Sequence, residues 1–98
     1  MEEYKVEKHS RFTKWLNKLR DEKLRFMVHA RLVQVEKGNF GDHKFIADDV
    51  WELRIHYGQG YRLYYTRRVA SVVILLCAGD KSSQKRDKKR ALKLAKGV

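Results

Sequence analysis

The apolar residues of this chain change their spacing once, from a helical period to a period of two, and no proline interrupts either pattern. Phe12, Trp15, Leu16 and Leu19 recur at i, i+3, i+4 and i+7, which lines one face of an α-helix, with Ser10 as a candidate cap. Behind Asp21 the same period returns in Leu24, Met27, Val28, Leu32 and Val35, and Gly38-Asn39 supplies a helix stop. The short gap around Arg20 and Asp21 predicts that the two helices form an antiparallel hairpin.

From Val50 the period is two. Leu53, Ile55 and Tyr57 fall on one strand face, and Glu52, Arg54 and His56 fall on the other, predicting one core face and one face that carries reactive groups. Trp51 lies in register with Leu53 and Ile55 and reads as core. Gly58-Gln59-Gly60 has glycine where positive φ is needed, and Tyr61-Arg62-Leu63-Tyr64-Tyr65 resumes as a strand, so the segment predicts a hairpin. Ser71 to Ala78 shows little alternation, as a strand buried on both faces would. Tyr4 to Lys8 is a candidate edge strand, and Asp80-Lys81-Ser82-Ser83 is placed to cap a last, basic helix with Ala91, Leu92 and Ala95 as its apolar positions. The predicted class is α+β, in the order β-α-α-β-β-β-α.

With 98 residues there is room for one core, and no linker or repeat divides the chain, so a single domain spanning 1–98 is expected. The 23 Lys and Arg against 12 Asp and Glu give a net charge of +11, which calls for an acidic or polyanionic partner, nucleic acid first. The longest apolar run falls far short of the roughly 20 residues that cross a bilayer, and Met1-Glu2-Glu3-Tyr4-Lys5 lacks the pattern of a secretory signal, so no membrane partner and a cytoplasmic location are expected. Cys77, within Val72–Ala78, reads as a core thiol. His9, His29, His43 and His56 show no zinc-like spacing with it, and Gly58-Gln59-Gly60 joins strands instead of opening a helix; neither a metal nor a nucleotide cofactor is expected.

Three stretches together carry a resemblance: Val50-Trp51-Glu52-Leu53-Arg54-Ile55-His56, then Gly60-Tyr61-Arg62-Leu63-Tyr64-Tyr65, then Leu75-Leu76-Cys77-Ala78-Gly79-Asp80-Lys81-Ser82-Ser83-Gln84. With Gly38-Asn39-Phe40-Gly41-Asp42 and Phe12 to Leu16, they resemble the addiction-module killer proteins, a HigB-like, phage-associated branch of the RelE/ParE superfamily. The resemblance implies a twisted, mainly antiparallel sheet packed on the helical hairpin. It also implies a toxin held in check by an antitoxin, often of helix-turn-helix type. RelE-like and HigB-like members cut messenger RNA on the ribosome without metal, whereas ParE-like members poison DNA gyrase, and fold alone does not choose between them.

Metal-free RNA cleavage needs a base for the 2′-OH, positive charge at the phosphate and an acid for the leaving 5′ oxygen. Histidine is the residue type whose reference pKa lies nearest neutrality, so His56, on the face of Arg54, is the candidate base or acid; the alternative is an exposed strand histidine without a role. Arg54 and Arg62, on adjacent strands, are candidates for holding the phosphate, though Arg62 could instead pair with Glu52. In the resemblance, Arg62 matches the arginine that RelE-like toxins use at the scissile phosphate, Arg54 falls near a position they fill with lysine, and Lys81 matches a basic site residue. Those toxins also carry a C-terminal tyrosine, which the run Lys85-Arg86-Asp87-Lys88-Lys89-Arg90 lacks.

Between Lys81 and Lys96 eight basic residues face the single acid Asp87, a net charge of +7. Lys85, Arg86, Lys88, Lys89, Arg90 and Lys93 are therefore candidate RNA contacts, against the alternative of a solvated helix face.

Overall fold

The computed structural model describes residues 3–98. In chain order the elements are strand β1 (Lys5–Lys8), helices α1 (Ser10–Lys18) and α2 (Glu22–Glu36), then strands β2 (His43–Ala47), β3 (Val50–Ile55), β4 (Tyr61–Arg68) and β5 (Val72–Asp80). A 3-10 turn (Lys81–Ser83) leads into helix α3 (Gln84–Ala95). The class is α+β, as the spacing predicts, with one strand more than the sequence reading: β2 is an edge strand, largely exposed, and has no apolar face to announce it.

The helix ends follow local chemistry. His9, not Ser10, caps α1, its Nδ1 accepting from the Arg11 amide at 3.0 Å. Asp21 caps α2 by accepting from the Leu24 amide at 3.1 Å. At the other end Gly38, at φ 90°, lets its amide reach Val35 O (2.9 Å) while the Asn39 amide reaches Gln34 O (2.9 Å), which satisfies two orphan carbonyls. Arg25 donates to Leu16 O at 2.6 Å and so ties α2 to the end of α1.

The sheet order is β1-β5-β4-β3-β2; β1 runs parallel to β5 and the other neighbours are antiparallel. One face packs on α1 and α2 through Phe12, Leu16, Leu24, Val28, Leu32, Leu53, Leu63, Tyr65 and Leu75, among others. On the other face a smaller core forms under α3 from Val50, Tyr64, Leu76, Cys77, Ala91 and Ala95. The β4–β5 register slips between Tyr64 and Tyr65, where Tyr64 pairs with Cys77 and Tyr65 with Leu75. Leu76 is the extra residue, and beyond it the faces exchange: Leu75 belongs to the first core, Leu76 and Cys77 both to the second, and Ala78 to the first again. The run around Leu75 shows no alternation because both faces of β5 are covered, one by each core. Among the described residues, no helix is long and apolar enough to cross a membrane.

Candidate active site

The β3–β4 turn brings the candidate residues together. Gly58 and Gly60 take φ of 57° and 85°, the Gly60 amide donates to Tyr57 O at 2.9 Å, and the strands leave the turn with Arg54 directly opposite Arg62. Arg62 in turn pairs with Gly79 of β5. The Lys81 amide donates to Gly60 O at 3.1 Å, which pulls the start of the 3-10 turn against the hairpin. Arg54, His56, Arg62 and Lys81 consequently line one cleft of about 440 Å³, together with Tyr57 and Tyr61. Both aromatic side chains of the cleft, Tyr57 and Tyr61, come from the hairpin.

The face of β3 that carries Glu52, Arg54 and His56 grades from buried at Glu52 to exposed at His56. Glu52 is only 2% exposed, because α3 covers that part of the sheet. Arg62 is also mostly buried, with 16% of its side chain exposed and its Nε 3.4 Å from Glu52 Oε2. The pairing with Glu52 therefore exists, and Arg62 still reaches the cleft wall. Glu52 Oε1 and Arg62 Nε lack hydrogen-bond partners, so the pair is held by charge in a geometry that leaves polar atoms unmet.

A residue that the sequence reading passed over organises the open end. Asp42 Oδ1 accepts from Arg54 Nε (3.2 Å) and Nη2 (2.9 Å), and its Oδ2 lies 2.5 Å from His56 Nε2. The hydrogen bond to His56, and then those from Arg54, hold the Asp42 carboxyl below the usual carboxylate range. Because Asp42 occupies Nε2 of His56, the Nδ1 side of the ring is the one left for a substrate. Arg31 fixes the loop that carries Asp42. Its guanidinium donates to Phe40 O (3.1 Å), Asp42 O (2.6 Å) and Arg54 O (2.7 Å), and burial lowers its pKa. In sequence Arg31 is one more charge on a helix, and nothing local links Asp42 to a histidine fourteen positions away. The only hint was that Asp42 closes Gly38-Asn39-Phe40-Gly41-Asp42.

On α3, Lys85, Arg86, Lys89 and Lys93 are exposed, whereas Lys88 and Arg90 are half-buried. Lys85, Arg86 and Lys89 surround a depression with Ser82 and Ser83 that follows Lys81 of the cleft. Cys77 is buried at 2% exposure, and burial pushes its thiol up to about 12, so it stays protonated as a core group. Among the described residues, no three His, Cys, Asp or Glu side chains gather where they could hold a metal ion.

The fold matches that of solved structures of the Escherichia coli toxin RelE. A free-state arginine-to-alanine double variant of RelE superposes with a TM-score of 0.75 at 22% identity, covering 94% of this chain and 97% of RelE. The crystal structure of the isolated RelE toxin gives 0.65, again at 22% identity, over 88% of this chain and 97% of RelE. An uncharacterised protein of Haemophilus influenzae is 46% identical over 84 residues, 86% of this chain and 85% of that protein. The family described as phage derived protein Gp49-like (DUF891) matches residues 14–97. With that match spanning both helical layers and four of the five strands, the chain belongs to the phage-derived Gp49-like family, on a RelE-like fold.

Proposed function

We propose that this chain is the toxin of a type II toxin-antitoxin pair and that it cuts messenger RNA on the ribosome without a metal. The observation that carries the reading is the convergence of Arg54, His56, Arg62 and Lys81 on one cleft, with His56 oriented by Asp42. In the reaction, the 2′ oxygen attacks phosphorus, the new O2′–P bond forms as P–O5′ breaks, and one proton leaves O2′ while another reaches O5′. His56 performs one of these transfers. Neutral, with Nε2–H held by Asp42, it offers the Nδ1 lone pair as a base; protonated, it offers Nδ1–H as an acid. Arg62, Arg54 and Lys81 supply charge to the pentacoordinate phosphate, where fixed donors act most strongly. Lys85, Arg86, Lys88, Lys89, Arg90 and Lys93 extend the positive surface along the RNA.

On this reading the whole of 1–98 is one toxin domain of the HigB-like, phage-associated branch. It works in the cytoplasm with the ribosome and messenger RNA as targets, and a helix-turn-helix antitoxin neutralises it. Inducible expression of the chain alone, with messenger RNA 5′ ends mapped before and after induction, tests the proposal. Growth arrest with new 5′ ends inside translated regions is expected. Unchanged 5′ ends alongside accumulating gyrase-linked DNA breaks would refute it in favour of a non-catalytic gyrase inhibitor.

A further inference from the structure

We propose that the space between α1 and α3 is a second RNA-binding groove, which takes phosphodiester backbone outside the cleft. Strand β1 accompanies β5 only from Val72 to Leu75. There the His9 amide donates to Leu75 O and the chain turns into α1, so the rest of that edge of β5 faces helical side chains instead of a strand. Arg11, Lys14 and Lys18, at i, i+3 and i+7 along α1, line a depression whose floor is Cys77 and Ala78 and whose far wall is Arg90 of α3. Arg11 and Arg90 continue into a neighbouring depression with Lys89 and Lys93, and Lys89 also borders the one that begins next to Lys81. A basic track thus runs from the cleft along α3 and across to α1.

Three features make this a groove for a polyanion. No acidic side chain lines any of the three depressions. Helix α1 contains no acid at all, so Arg11, Lys14 and Lys18 repel one another with no counter-charge on their own element, a cost of a few tenths of a kcal/mol per pair in an isolated helix. Among the described residues, none of Arg11, Lys14, Lys18, Arg90 or Lys93 is ion-paired. A protein partner would want a broad apolar centre to its interface; the exposed large apolar side chains are Phe26 and Val33 on α2, Phe45 on β2, Val69 between β4 and β5 and Val98 just beyond α3, and the groove's own apolar lining is confined to Trp15, Leu94 and the Cys77–Ala78 floor. What the groove offers is fixed positive charge along two walls, the complement of a ribose-phosphate chain.

The inference rests on RNA being this protein's partner but not on cleavage. The test is equilibrium binding of the full chain and of the Lys14→Gln/Lys18→Gln variant, since both lysines are exposed and neither belongs to the cleft. Binding is measured from 50 to 200 mM salt with two probes, a 2′-O-methyl messenger RNA that 2′-OH attack cannot cut, and ribosomes programmed with it. Each lost phosphate contact removes about 0.7 to 0.9 from the log–log salt slope, so a drop of roughly 1.4 to 1.8 is expected. A drop on both probes assigns the groove to messenger RNA, and a drop on ribosomes alone assigns it to ribosomal RNA. Lys14→Arg/Lys18→Arg should keep the wild-type slope. Unchanged slope and affinity on both probes overturn the proposal, including where an acidic protein is the true occupant. A reduced slope in a protein that never cuts RNA would leave the groove standing and remove the nuclease.

Discussion

Replacing Arg62 with alanine should cost both toxicity and fold stability, and the second effect follows from its burial. The Arg62 side chain is 16% exposed and that of Glu52 is 3% exposed, with 3.4 Å between charged atoms. Removing the cation leaves a carboxylate under α3 with an uncompensated charge, a change that costs about 3–5 kcal/mol in buried pairs. The pair's imperfect geometry, with Glu52 Oε1 and Arg62 Nε unsatisfied, argues for the lower end, about 3 kcal/mol. In a domain of this size that is roughly a 12–24 °C fall in Tm, out of a total stability of only about 5–15 kcal/mol. Loss of toxicity in Arg62→Ala is therefore not interpretable by itself. The assay is a double-mutant cycle by thermal unfolding with Arg62→Met, Glu52→Gln and the two together. Each single variant should lose stability, and the double should return to within about 1 kcal/mol of wild type, since a neutral pair carries no stranded charge. The folded double variant should still fail to cut RNA, which isolates the contact with phosphate from the structural role. Single variants that unfold at the wild-type temperature, or losses that simply add, would refute the reasoning about the buried pair.

His56→Gln should lower single-turnover cleavage on ribosomes by roughly 10²- to 10⁴-fold with little change in binding, and a rate within twofold of wild type would remove the imidazole from the chemistry. Asp42→Asn keeps the shape but not the charge that orients His56, so single-turnover cleavage should slow and Tm should fall modestly with the lost Arg54 pair; an unaltered cleavage rate counts against the orienting role. Gly79→Ala should be destabilising by about 1–3 kcal/mol or more, because an added Cβ would stand 1.9 Å from Asp87 Oδ2, a buried carboxylate already held by the Ser83 hydroxyl; a normal urea midpoint would contradict it. Asp21, Asp42 and Asp80 all have pKa values lowered by hydrogen bonds in the fold, so they contribute stability fully above the ordinary value near 3.8 and lose it as pH falls through the lowered values. The urea midpoint should thus be level from pH 7 to about 5 and fall below 4, and a flat midpoint down to pH 2.5 would contradict these assignments.

Sequence patterning resolves the elements that bury a periodic face. Leu24, Val28, Leu32 and Val35 are all buried where the helical spacing puts them, and Asp21 and Gly38 bound that helix as its ends require. The Gly58–Gly60 turn and the opposition of Arg54 to Arg62 also follow from local residues. What escapes is whatever depends on a distant element. Strand β2 exists because β3 offers it an edge, not because its own residues alternate. Glu52 is buried because α3, some thirty residues later, lies across it. Asp42 joins the site only once Arg31 has drawn its loop onto the end of β3. Period tells which side of a strand a residue takes, and it is silent about what covers that side.

The two arginines of the cleft illustrate what the unreadable part contributes. Like charges directly opposite on neighbouring strands are unfavourable, and Arg54 and Arg62 are such a pair. Each is offset by its own carboxylate, but in different surroundings. Arg62 is matched by Glu52 in the protein interior, where exchange of partners is expensive, so its guanidinium is fixed before any substrate arrives. Arg54 is matched by Asp42 at the open rim, with 34% and 36% of the two side chains exposed, where water and salt weaken the pair. An incoming phosphate can therefore compete with Asp42 for Arg54 while Arg62 holds position. On the proposed function, that division gives one rigid anion contact to set register and one exchangeable contact beside His56. A phosphate that draws Arg54 away would also leave Asp42 bound to His56 alone, so the orienting contact on the imidazole persists while the arginine changes partner.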